Sequence, residues 1–156
     1  MISATHFHAM IIHFPVALLL AGFLFEVIAL FYRKEIFTQI AFYLLVLGTL
    51  GAVVAYLSGS SAGEGIEEGP LKKPVDLHET AATLTLVLAI VLTLFRAAIT
   101  YFKYNRIWVK WAGIILFAAL AGSVARTGYL GGQLVYSHGA GVQLALPDFG
   151  NSSGEE

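Results

Sequence analysis

The chain has 156 residues, of which 58% are hydrophobic and 12% charged, with a net charge of −1 and no cysteine. Globular domains average about 45–50% apolar and about 25% charged residues, so a mean hydropathy of +0.78 makes a lipid bilayer the solvent and excludes a water-soluble domain. Without thiols there are no disulfides, thiolate metal sites, covalent c-type haem or thiol catalysis, and the charge balance excludes a basic nucleic-acid footprint.

The N-terminus, MISATHFHAM, lacks the Lys/Arg start of a cleaved signal peptide and is read as retained. The first apolar span runs from about Phe14 to Tyr32 and ends at Arg33, Lys34 and Glu35. His6, His8, His13 and Pro15 stand at its entrance. Pro15 leaves the carbonyl of Ile11 without a helical partner, so the helix either starts near Pro15 or runs through with a kink. His8 and His13 are separated by about 140° on an ideal helix and point to different neighbours. Glu26 follows His8 by eighteen residues, which is five whole turns and puts it on the same stripe about 27 Å deeper. An acid at that depth needs a partner; Arg96 is the candidate for an ion pair, with a proton relay as the alternative.

The second span runs from about Phe37 to Leu57 and dissolves into the Gly/Ser/Glu segment SGSSAGEGIEEGP. The third opens near Leu77 and continues to about Phe102. In DLHE at its start, Asp76 is placed to cap the helix with Glu79 as the reciprocal capping-box partner, which puts His78 in the first turn. The fourth span runs from Ile107 or Trp111 to about Leu130, inside whose outer end lies Arg126, and then meets Gly131 and Gly132. Counted straight from Trp111, His138 would lie about 40 Å along the axis. A break at the glycine pair would fold it back over the mouth of the bundle, with Gly139 and Gly141 permitting tight turns beyond it.

Each span is close to the ~20 residues that cross hydrocarbon as helix, and lipid leaves helices or closed barrels as the options. The expected fold is an all-α membrane protein, four transmembrane helices in an up-down bundle. Residues 1–146 form one domain, and 147–156 form a flexible polar tail. Arg33, Lys34, Lys103, Arg106 and Lys110 gather at the turns after spans one and three, whereas Lys72 and Lys73 are diluted by Glu64, Glu67, Glu68 and Asp76. The positive-inside rule then puts both termini, and with them all five histidines, on the non-cytoplasmic side of a bacterial inner membrane.

His8, His13, Phe14 and Pro15, the helix-start His78, and the terminal run Gly131, Gly132, Leu134, Val135, Tyr136, His138, Gly139, Gly141 and Val142 resemble the bacterial membrane-protein family known as domain of unknown function 2231. The resemblance covers the first helix through Val142. One departure is Ala9, where relatives often carry proline. Members of that family are sometimes fused to cytochrome or Rieske-type modules, so the resemblance implies electron transfer and a redox partner of that kind.

The leading expectation is a b-type haem in the outer half of the bundle. Neighbouring helices pack at 8–10 Å, so the diagonal of a square bundle is roughly 13 Å, and helices one and three are diagonal in simple up-down order. His13 and His78 are then the preferred axial pair. His8 and His138 are alternative ligands or supporting groups, Arg126 is a propionate partner, and Gly131 and Gly132 leave room for the macrocycle. The rival is a single zinc, copper or iron ion on the same histidines, with Glu79 as an oxygen ligand. A third reading is a structural or assembly subunit whose histidines shape an interface. No residue is assigned a catalytic role; the chain reads as an electron-transfer or binding subunit rather than a stand-alone catalyst, embedded in lipid and without a nucleic-acid partner.

Overall fold

The computed structural model describes residues 3–64, 66, 68–104 and 106–142; the proposed polar tail lies outside them. The described residues form five helices and no strand: α1 (Ala4–Ile11), α2 (His13–Tyr32), α3 (Glu35–Gly63), α4 (Lys72–Tyr101) and α5 (Ile107–Tyr136). By length and composition α1 with α2, then α3, α4 and α5 make four membrane-crossing spans of 29–30 residues. Satisfying every backbone polar group within the segment is what lipid demands of such sequences.

Three helix ends reach further than the apolar runs. The chain passes from α1 to α2 through Ile12, which keeps right-handed helical angles, with Ile12 N–H donating to the His8 carbonyl at 3.1 Å and Val16 N–H to the Ile12 carbonyl at 3.3 Å. Helix one therefore runs through the proline rather than starting at it. α3 continues past Leu57 to Gly63, so Ser58 and Gly59 are helical. α4 begins at Lys72, because Pro74 falls within the first turn, where its missing N–H costs no helical bond. Asp76 therefore does not cap α4; it sits a turn inside and pairs with Lys72 at 2.7 Å.

α2, α3, α4 and α5 form a closed ring in chain order, α5 returning to α2 and α1 leaning on α3. The first and third spans thus lie on the diagonal. Large apolar side chains cover the outside, Phe14, Leu24, Leu50, Leu94 and Ile115 among them, and face lipid. The interior is a narrow column of Leu19, Leu45, Ala89, Leu92, Phe117, Leu120 and Val124. Lipid tails are as apolar as leucine, so association rests on close packing and interhelical polar contacts. Leu19 seats against Gly48, where a Cβ would stand 2.7 Å from Leu19 Cδ2, and Pro15 lies over Gly51. Hydroxyls join the helices where they face inward. Thr49 meets Thr93 at 2.8 Å, and Thr85 meets Ser123 at 2.7 Å and Thr127 at 2.9 Å.

One contact spans the diagonal at depth. Arg96 of α4 donates to the carboxylate of Glu26 on α2, the partner expected from the sequence. Both side chains are almost wholly enclosed, and Gly113 of α5 leaves space for the guanidinium, since a Cβ there would stand 3.3 Å from its Nη1.

Breaking this pair on one side leaves an uncompensated buried charge. Glu26→Leu is expected to cost about 3–5 kcal/mol, with the double variant Glu26→Leu/Arg96→Met recovering most of it; denaturant unfolding in a single detergent measures both. In the same assay Gly48→Ala, which collides with a fully buried leucine, is expected to lose about 1–3 kcal/mol. Gly122, whose Cβ would meet nothing within 4 Å, is expected to tolerate alanine or gain about 0.4–1 kcal/mol.

Candidate histidine site

Side chains on an α-helix that recur every three or four residues share a face. On the first span, Pro15, Leu19, Gly22 and Glu26 form the buried stripe, and His8, seven residues before Pro15, continues it outward. On the third span the stripe is Ala81, Thr85, Ala89 and Leu92, extended by His78 at one end and Arg96 at the other. The two stripes face each other, and His8 and His78 meet at the mouth with ring centroids 6.5 Å apart and ring planes at 81°.

Each imidazole is held by a neighbouring helix. His8 Nδ1 lies 3.0 Å from Ser58 Oγ on α3, and the Ser58 hydroxyl donates to the Ala55 carbonyl at 2.9 Å. The ring rests on Gly59, where a Cβ would stand 2.8 Å from His8 Cε1. His78 rests in the same way on Gly131 of α5, a Cβ there falling 3.1 Å from its Cε1. His78 Nδ1 is buried with no hydrogen-bond partner among the described residues. At the next position on α4, the Glu79 carboxylate lies over Gly63 at the end of α3, where a Cβ would be 2.9 Å from Oε1. Alanine at Gly59 or Gly63 would evict the side chain opposite.

The other histidines are placed differently. His13 is exposed on the outside of the bundle, so the imidazole brought to His78 is that of His8 rather than the preferred partner. The reason is rotational: His13 precedes the buried Pro15 by two residues, about 200° around the helix, and Pro15 faces inward against Gly51. His6 is exposed and bonds locally, its Nδ1 3.1 Å from Ser3 Oγ. His138 follows α5 in the turn at Ser137–Gly141 and lines a cavity of about 200 Å³ with Lys73, Pro74, Leu77, Leu130 and Gln133, on a different wall from His8. Arg126 is exposed on α5 and forms no salt bridge among the described residues.

α5 passes unbroken through Gly131 and Gly132, and the chain turns back only at Gly139 (φ +64°) and Gly141 (φ +75°). There a Cβ on Gly141 would stand 2.9 Å from Thr5 Cγ2 of α1. The fold-back over the mouth exists, but it is made by the second glycine pair. The space over Gly131 holds the His78 ring. Of Gly131 and Gly132, Gly132 alone leaves open room.

Ser58 and Gly59 are the site residues that a reading of composition misses, because a Ser/Gly run looks like loop. The signal that finds them is spacing: Gly48, Gly51, Ala55, Ser58 and Gly59 continue one small-residue face of α3. Gly59-Ser60-Ser61-Ala62-Gly63 also spells the Gly-x-Ser-x-Gly pattern, but it lies in the last turns of a helix and not on the strand-to-helix turn that exposes a nucleophilic serine.

Among the described residues no group of three or more His, Cys, Asp or Glu side chains is arranged to hold a metal ion. The donor set at the mouth is two imidazoles. The family model described as "Predicted membrane protein (DUF2231)" matches residues 4–144. No curated protein and no solved structure is significantly similar to the chain. Since the family match runs from α1 through the turn after α5, the chain belongs to the DUF2231 family of membrane proteins.

Proposed function

We propose that this protein carries electrons in the membrane on a b-type haem, with His8 and His78 as its imidazole ligands. The observation that supports the reading is the facing pair of rings at the bundle mouth. Two metal–imidazole bonds of about 2.0–2.1 Å, each extended by roughly 1.2 Å from ring nitrogen to ring centre, put the centres of opposed ligands about 6.4 Å apart. His8 and His78 stand at 6.5 Å. The donor count points the same way, since a haem brings four nitrogens of its own and asks the protein for two, whereas a structural zinc site takes four ligands and a catalytic one three.

A macrocycle would enter past α1. That helix buries no residue of its own and leans on α3, so it is the part of the mouth that lifts at least cost. Arg126 and His138 then serve as outlying contacts rather than ligands. A redox partner of cytochrome or Rieske type, implied by the family resemblance, would dock at this end. The second reading, a single copper, zinc or iron ion, is favoured by the packing of His78 onto Gly131, which takes up space a macrocycle would use.

The histidine end is assigned to the periplasmic side of a bacterial inner membrane, because Arg33, Lys34, Lys103, Arg106 and Lys110 lie at the opposite end. Reporter fusions after Lys34 and after Glu68 are expected to report the cytoplasm and the periplasm respectively; the same compartment for both contradicts this orientation.

The cofactor is tested by a dithionite-reduced minus oxidised spectrum, with metal analysis, on protein purified in mild detergent. The expected result is a haem spectrum in the parent that is lost in His8→Ala and in His78→Ala and kept in His13→Ala, with all variants inserted normally, because insertion follows the ~20-residue apolar runs. Metal without haem selects the single-ion reading. A parent with neither leaves the histidines as interface residues of an assembly subunit.

A further inference from the structure

A serine hydroxyl has one proton to donate and lone pairs to accept with. Ser58 donates to the Ala55 carbonyl one helical turn back, at 2.9 Å. Its contact with His8 Nδ1, at 3.0 Å, therefore has Ser58 as acceptor, and the proton in that contact belongs to the imidazole. A neutral imidazole carries one N–H, so a proton on Nδ1 leaves Nε2 as a bare electron pair.

We infer that Ser58 is a positioning residue that locks His8 in the Nδ1–H tautomer, making Nε2 the atom that His8 offers to a metal centre. Three features cooperate. The Ser58 bond to its own helix fixes the hydroxyl rotamer, Gly59 lets the ring pack against α3, and the centre of the His78 ring stands 6.5 Å away. Histidines that ligate metals hold their other nitrogen in this way, which fixes both tautomer and ring direction and raises the basicity of the ligating atom. Which group Nε2 binds rests on the electron-transfer reading; the tautomer does not.

The test uses the full chain in detergent, free of cofactor and labelled with ¹⁵N-histidine, at about pH 8, where unperturbed imidazoles are neutral. His8 resonances are assigned by their loss in His8→Gln. The expected parent spectrum shows His8 with a protonated Nδ1 and an unprotonated Nε2. Ser58→Ala removes that separation and gives a tautomer mixture, and Ser58→Thr, which keeps the hydroxyl, restores it. Titrated with haemin, Ser58→Ala binds about 10–100-fold more weakly than the parent and Ser58→Thr within a few-fold of it, the range expected for an outer partner of a ligating histidine. A parent with the proton on His8 Nε2 overturns the inference, whether or not the serine variants fold. So does a Ser58→Ala variant with the parental tautomer. A parent with the expected tautomer that takes up no haemin defeats the haem reading and leaves the role of Ser58 standing.

Discussion

The Glu26–Arg96 ion pair is the constraint on which the arrangement of this bundle turns. Membranes exclude unpaired charge, and two opposite charges on diagonal helices can satisfy each other only across the bundle axis. That requirement sets the rotation of both helices and their relative height. His8 precedes Glu26 by eighteen residues, and His78 precedes Arg96 by the same eighteen. The first and third spans run in the same direction, so equal spacing carries the match from one end of the axis to the other. Where glutamate faces arginine at depth, histidine faces histidine at the mouth. The interhelical hydroxyl pairs, worth on average about 0.6 kcal/mol each in membrane proteins, and the glycine seats add precision to a register that the charges impose.

Much of this was legible in the sequence. Four helical spans follow from hydropathy, and the stripe from His8 to Glu26 follows from five turns of 3.6 residues. Arg96 as partner to Glu26 follows from depth and charge. The preference for His13 over His8 overlooked that same stripe, since only one of two residues five apart can share a face with Glu26, and that residue is His8. The helix ends were harder to read. Ser58, Gly59 and Gly63 have poor intrinsic helix propensity, yet they are helical here because packing favours small residues: His8 lies over Gly59 and Glu79 over Gly63. Pro74 and Asp76 look like a helix boundary and fall inside the first turns of α4. The role of Gly131 was invisible for a different reason. A glycine that seats a side chain and a glycine that admits a cofactor look identical until the neighbouring helix is placed.

The mouth combines a rigid half and a loose half. His78 sits on a long transmembrane helix packed against α5, whereas His8 sits on α1, a short helix without buried residues that is tethered by the Ser58 contact, by the turn at Gly141 and by its continuation through Ile12. Local stability falls where few buried contacts hold an element. Under the proposed function, one fixed and one movable imidazole let the mouth open to receive a group and close upon it. In this respect Pro15 has a mechanical meaning: it removes one backbone bond just below α1 while its own burial keeps α2 in register.

The most direct test of the central claim, that the diagonal register brings His8 and not His13 to His78, uses the absence of native cysteine. The double variants His8→Cys/His78→Cys and His13→Cys/His78→Cys, each in the full chain in native membranes, are treated with a short bifunctional thiol cross-linker. Linkage of segments otherwise separable is read after proteolysis in the loop between α3 and α4. Efficient intramolecular linkage of the first pair and little of the second is expected; efficient linkage of the second pair, or none of the first, overturns the register.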